Sequence, residues 1–349
     1  MAHGIYNKER DFQIAEEVAW HKLTRVKKPE VADFPEITPM PLHFNGGKNM
    51  VYGNRKFFVP VAMDDMLPVA PPYCGETILE VDDAGCPPKD KDIRGTYILF
   101  TPREAWQWVK DSLAGTEFDV KSIGMLWNRS FWFISTELTE LKSLSVGYND
   151  DTRFQLNFSG GLDRSVSPQC ELSSIRAVCF NTISLSRSTG KILFHERATK
   201  HFSDRLAEAK SEIASAVGMT AVFAAAMNKL VEYPCNKERA TNIFAGYLTD
   251  YTTEKLSKRT HNTIMELTSL HSNGLGNRGE TEYDLLNAYT QQLTHGSVTS
   301  KTPIGRRFAS SEFGNNADAK SDFYDLLTSN RRNILPEMEE RGERLLATA

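Results

Sequence analysis

Hydrophobic spacing changes character along this chain. Ile123, Met125 and Trp127 alternate with more polar neighbours, and Phe131 to Ile134 (FWFI) is apolar at every position. Phe154, Leu156 and Phe158 then alternate with Arg153, Gln155 and Asn157. A period of two is the mark of a strand, half-buried where one face is polar. The pattern predicts strands near 119–128, 131–138 and 152–159, with Tyr148-Asn149-Asp150-Asp151 as the turn before the last. Phe154 and Phe158 are expected in the core. Either face of FWFI is free to point outward, which makes Trp132 the candidate for an exposed ring.

Helices announce themselves through their ends. Thr101 and Glu104 have capping-box spacing, Pro102 sits at the favoured first position and Gly115 lies past the end, so a helix is expected over 102–113. Its Ala105, Trp106 and Val109 should face the sheet. Ser173 or Ser174 is read as the cap of a helix reaching Ser186, ended by Thr189-Gly190. From Ser203 the chain reads as helices with loop breaks. One runs to Val231 with Pro234 beyond it. Asn236 opens the next, Thr252 or Thr253 opens another ending near Gly274, and Glu280 to Leu293 is followed by Gly296.

Proline sharpens the division. Eleven of the fifteen prolines lie at or before Pro102, and only Pro234 falls between Ser203 and Gly296. Proline's missing N–H and ring clash exclude it from helix interiors. Residues 1–100 are therefore expected to be Pro-rich irregular and β structure, 101–202 a central α+β core, and 203–349 a helical region. The fold class is α+β: a central antiparallel sheet with helices packed on it and a helix-rich C-terminal half.

At 349 residues, with 40 % hydrophobic and 25 % charged positions, the chain has the make-up of a soluble globular protein. The opening MAHGIYNKERDF lacks the apolar core of a secretory signal. The uncharged run Ile213–Asn228 is too short and Ala-rich for a membrane span of roughly 20 apolar residues. Five cysteines without a CxxC pair read as reduced thiols, so cytoplasmic location in a bacterial host is expected and no membrane contact.

Charge changes the picture more. The chain carries −4, yet Ser173–Arg205 sets Arg176, Arg187, Lys191, Arg197, Lys200 and Arg205 against only Glu196 and Asp204, a local charge near +4. Concentrated charge speaks about partners rather than fold, and it points to a polyanion. Those six cations are the expected phosphate contacts. Asn181 and Ser184 would add neutral contacts from the polar face of the helix capped at 173–174, and Trp132 would stack a base.

Catalytic motifs do not survive inspection. Gly274-Leu-Gly-Asn-Arg-Gly279 spells GxGxxG, but a polar helix rather than a strand precedes it, so it reads as a flexible loop. His195-Glu196 and His201 lack zinc spacing, and no metal or cofactor is assigned. Glu117, Asp119 and Lys121 offer a D-x-K fragment of the kind magnesium nucleases use, which solvated edge charges also explain. No catalytic residue is named, and the chain is read as non-enzymatic.

Several blocks together resemble one family. In order they are MAHGI with Trp20-His21, IRAVCFNTISLS, HERATKHFSDRLAEA, TEYDLLNAYTQQLTHG and RRFASSEFGNNADAKSDFYDLL. They are similar to the phage- and plasmid-related proteins grouped as domain of unknown function 932. Arg176, Val178, Cys179, Asn181 and Thr182 match that family's Arg-Val-Val-Cys-Asn-Asn-Thr-Leu sequence, while Phe180 and Ile183 depart from it. Asn287, Ala288, Thr290, His295, Phe313-Gly314 and Lys320 match the late block. The resemblance implies a mobile-element origin and supplies no activity. In layout alone, three strands followed by a helix from 174 resemble the β-β-β-α core of phage single-strand annealing proteins.

The expectation is a phage or plasmid protein that binds or anneals single-stranded DNA in replication or recombination. The alternative is a protein-interaction factor acting on a host or phage protein, for example in counter-defence, and the third reading is a metal-dependent nuclease. The partners are accordingly a single strand, a protein, or further copies of the same chain.

Overall fold

A computed structural model describes residues 10–16, 24–41, 51–52, 55–71, 73–77, 99–115, 117–138, 144–176, 181–184, 193–195, 216–296 and 310–348. The strands are β1 (Phe12–Ala15), β2 (Thr24–Val26), β3 (Ile37–Pro41), β4 (Val51–Tyr52), β5 (Arg55–Ala62), β6 (Leu67–Pro68) and β7 (Tyr73–Thr77). They continue as β8 (Phe118–Leu126), β9 (Phe131–Leu138), β10 (Leu144–Val146), β11 (Asp150–Gly161), β12 (Gln169–Arg176), β13 (Asn181–Ser184) and β14 (Phe194–His195). The helices are α1 (Pro102–Ser112), α2 (Ala216–Val231), α3 (Lys237–Tyr247), α4 (Lys258–Asn273), α5 (Glu282–His295), α6 (Asn315–Thr328) and α7 (Leu335–Ala347).

Two sheets result. The larger runs β13-β12-β11-β9-β8-β1-β2, with β10 beside β11 and β14 beside β12. Every pairing in it is antiparallel except β1 with β2. Strands β1 and β2, from the Pro-rich front of the chain, thus complete the central sheet. The smaller sheet gathers β3, β4, β6 and β7 around β5. The helix-rich C-terminal half makes the whole an α+β fold.

Helix α1 forms as its ends dictate. The Thr101 hydroxyl accepts from the Glu104 N–H, the Glu104 carboxylate accepts from the Thr101 N–H, and Pro102 stands inside the first turn. Ala105, Trp106 and Val109 are buried as expected, and Trp108 lies edge-on to Phe158 at 5.1 Å. Asn236 caps α3 by accepting from the Arg239 N–H. Gly296 ends α5 at φ 73°.

Sequence expectation and structure part at three places. Residues 174–186 do not form a helix where described: Ser173 and Ser174 lie in β12, paired with Gln155 and Phe154, and β13 pairs back onto them. Ile175, Thr182 and Ile183 are β-branched and favour the pleat, and the serines that looked like a cap sit in a cross-strand ladder. Among the described residues the three expected strands are therefore followed by β12, β13 and β14 where a helix from 174 was expected, which removes the likeness in layout to the annealing proteins. The helix expected from Thr252 or Thr253 begins instead after Ser257, which accepts from the Thr260 N–H, because Asp250 draws both threonine hydroxyls into a turn.

The third difference concerns FWFI, which is buried on both faces. Trp132 and Ile134 join the main core with Phe154, Leu156 and Phe158. Phe131 and Phe133 pack against Phe313, their ring centroids 5.0 and 5.2 Å from it. In the helical half α3 crosses α7 so closely that a Cβ on Gly342 would overlap the Asn242 carbonyl, and one on Gly246 the Met338 carbonyl.

Candidate nucleic-acid interface

The basic stretch enters along the outer edge of the central sheet. Arg176 ends β12 opposite Asn181, which begins β13. β13 and β14 both pair with the side of β12 away from β11, at Ser173–Arg176 and Gln169–Cys170. The side chains of Arg176 and Asn181, and residues Arg187, Lys191, Arg197, Lys200 and Arg205, lie outside the described residues. His195 is exposed on β14.

Two of the expected contacts are corrected. Ser184 is 4 % exposed; its hydroxyl donates to Glu171 Oε2 at 3.2 Å and its carbonyl accepts from the Ser321 hydroxyl at 3.1 Å. It faces the interior and does not meet a phosphate. Trp132 is fully buried, edge-on to Phe100 at 5.8 Å, with Gly160 so close beneath the ring that any Cβ there would strike it. No face of the indole is left for a base.

Sequence reasoning missed a buried polar face on the side of the sheet opposite the main core. Ser135 donates to Asn157 Oδ1 at 2.7 Å, Asn157 Nδ2 donates to Ser173 at 3.1 Å, and Gln169 Nε2 to Ser159 at 3.3 Å. The register Ser135↔Asn157↔Glu171 places these groups side by side. The alternation was legible, but it implied a solvated face. Hydrogen bonding is what makes its burial tolerable.

Lys320 sits nearby at 1 % exposure, donating to the Ser311 hydroxyl at 2.9 Å and to Thr294 at 3.3 Å. On the opposite face, Thr152, Ser174 and Ile183 meet Asn287 and Thr290 of α5 around a small crevice. The central and late sequence blocks thus converge on β13.

The remaining motifs resolve into structural roles. The GxGxxG letters join α4 to α5, and Gly274 follows a helix, so no strand aims a phosphate at them. Asp284 holds this loop: its carboxylate accepts the N–H groups of Arg278, Glu280 and Thr281 at 2.9–3.1 Å and the Tyr148 hydroxyl at 2.7 Å. In the D-x-K fragment Lys121 contacts Asp119 at 2.8 Å and Glu16 at 3.0 Å. Burial alone would lower the lysine's pKa, but the two carboxylates outweigh it and hold it above its ordinary value. Asp119 is held low in turn, chiefly by the hydrogen bond from Lys121. Both carboxylates are thus engaged in ion pairs with the lysine. Among the described residues no group of three or more His, Cys, Asp or Glu is placed to hold a metal ion.

Fold and site together define an α+β protein whose central sheet, among the described residues, ends in β13 on one side and β2 on the other. The family model for a domain of unknown function, DUF932, matches residues 93–319, more than half of the chain, and the chain belongs to that family. The match covers the sheet from β8 onward and the helices as far as the start of α6. No curated protein and no solved structure matches it. Among the described residues no helix is long and apolar enough to cross a membrane.

Proposed function

We propose that this protein binds nucleic acid, single-stranded in preference, through the basic stretch 176–205. It would do so as a non-enzymatic factor in phage or plasmid replication or recombination, in the bacterial cytoplasm. The observation that carries the reading is a local charge near +4 in a chain of −4. Its supporting geometry is that β13 and β14, which open and interrupt the stretch, form the outer edge of the sheet. Phosphates neutralised there would release counterions and drive binding.

The test is Arg197→Ala with Lys200→Ala, followed by fluorescence anisotropy at several salt concentrations. Affinity should fall uniformly across sequences, and the log–log salt slope should flatten by about 0.7 per lost contact on single strands. Circular dichroism and the urea midpoint of the double variant check that the fold persists. No affinity for single- or double-stranded DNA or RNA at low salt sinks the reading.

A protein partner is the second reading. It is favoured by large apolar side chains exposed on the front of the chain, among them Met66 at 56 % and Leu67 at 46 %.

A further inference from the structure

The turn between β8 and β9 has an unusual backbone. Trp127, Asn128 and Arg129 follow one another at φ 54°, 61° and 66°, the left-handed region that side chains other than glycine's seldom occupy. Such a conformation persists only where its surroundings impose it. Successive amides turned this way make a concavity suited to an anion. Here the anion is a carboxylate: Asp11 Oδ1 accepts the Asn128 N–H at 2.7 Å.

Two guanidiniums flank the turn. Arg129 Nη1 reaches both oxygens of Asp64 at 2.7 and 2.8 Å, and its Nε donates to the Arg10 carbonyl at 3.0 Å. Arg10 forks onto Asp65 through Nε at 2.7 Å and Nη2 at 3.1 Å. Its Nη1 donates to Asn128 Oδ1 at 3.1 Å and to the Pro68 carbonyl at 2.9 Å. Paired guanidiniums are chemistry suited to a phosphodiester, whose oxygens match the guanidinium fork as a carboxylate's do.

The carboxylates that meet these guanidiniums come from the tip between β5 and β6. Asp64 and Asp65 lie between β5 and β6 and turn toward the arginines, while Met63, Met66 and Leu67 of the same tip point outward at 38 %, 56 % and 46 % exposure. Met66 is itself left-handed, at φ 57°.

Placement links the cluster to the basic stretch. Leu162 N donates to the Ser130 carbonyl at 2.7 Å, so the turn lies at the end of the sheet where β11 finishes and β12 begins. At that end Gln169 pairs with His195, the last described residue before Arg197 and Lys200 in the sequence.

We propose that Arg10 and Arg129 form a phosphate site for the nucleic-acid strand, which Asp64 and Asp65 occupy until a strand displaces them, while Asp11 stays on the 127–129 turn and fixes its shape. The inference rests on the nucleic-acid reading and adds a self-blocking contact to it. The observed affinity is then the open-state affinity reduced by the open fraction.

Asp64→Asn with Asp65→Asn in the full chain tests this by anisotropy with a labelled oligothymidylate. Affinity should rise at least fivefold, and the salt slope should steepen by about 1.4 for two added contacts. Glu340→Gln with Glu343→Gln, exposed on α7, removes the same charge elsewhere and measures the non-specific gain. Adding Arg129→Gln to the opened variant should abolish the specific gain. Asp64→Asn alone, at a half-exposed position, should give part of it if the double variant melts early.

A gain no larger than the control's, or one that survives Arg129→Gln, overturns the proposal. If that happens while Arg197→Ala with Lys200→Ala still weakens the wild type, the blocked site fails and the nucleic-acid reading stands. If neither the wild type nor the opened variant binds, both fail.

Discussion

Glu282 is the most consequential single charge in the helical half. It occupies the first turn of α5 and is fully buried, yet two cations reach it. Oε1 accepts from Arg239 Nη1 at 2.9 Å and Arg332 Nη2 at 2.8 Å, while Oε2 accepts from Arg332 Nη1. Arg239 goes on to Glu339 of α7 at 3.1 Å, and Arg332 lies over the Tyr233 ring at 3.6 Å. One carboxylate therefore ties α3, α5, α7 and the turn before α7. Removing one member of a buried ion pair costs about 3–5 kcal/mol, most of it from the charges left behind. Both arginines keep about a quarter of their side chains exposed, so water recovers part of the loss.

The lower end, about 3 kcal/mol, is expected for Glu282→Ala. Glu282→Gln keeps the shape and one acceptor oxygen but not the charge, and should cost about 1.5–3 kcal/mol. Urea midpoints at constant slope report the change. Replacing all three charged residues by apolar ones of similar volume should recover much of the stability, because the desolvation of the cluster disappears with it. A loss below about 1 kcal/mol for Glu282→Ala would refute the reasoning and leave α5 held by packing alone.

Two further outcomes are expected. Thr101→Ala should cost about 1 kcal/mol in urea denaturation, since it removes the oxygen that accepts the Glu104 N–H at the start of α1. His271 is fully buried, with the Asp284 carboxylate and the backbones of Cys235 and Thr281 facing it, and burial holds its pKa below the usual 6.5. The unfolded chain then binds a proton that the folded one does not. Stability should fall as pH drops from 6.5 through the lowered folded value, by up to about 1.4 kcal/mol per pH unit. His271→Phe should remove that slope, as urea midpoints at pH 7 and 5 will reveal.

What was legible in the sequence was local. The α1 capping box, the Asn236 cap, the Gly296 stop and the alternation of Phe154, Leu156 and Phe158 each depend on neighbours within a few residues. What was not legible depended on distant chain. Ser173 and Ser174 resemble a cap until β11 and β13 take them as ladder positions. FWFI looked able to expose one face because its second cover, Phe313, lies far along the chain. Asp11, Asp64 and Asp65 meet Arg10, Arg129 and the β8–β9 turn only when the two sheets come together.

The same long-range covering constrains how a strand could bind. Stacking on a sheet needs an exposed aromatic face, and this sheet has none among its described strands. Trp132, Phe154 and Phe158 are sealed on one side, Phe131 and Phe133 on the other. The proposed contacts are instead the basic stretch that begins at β13 and the Arg10–Arg129 pair, whose side chains are 6 and 13 % exposed while Asp64 and Asp65 hold them. Edges and turns offer cations and amides, which meet phosphates, whereas bases are recognised by rings and by groups aimed at their edges. If the nucleic-acid reading holds, the protein would grip the backbone and leave the bases free to pair. That is the behaviour a factor handling strands of any sequence needs, and the burial of Phe131, Trp132, Phe133, Phe154 and Phe158 is what favours it.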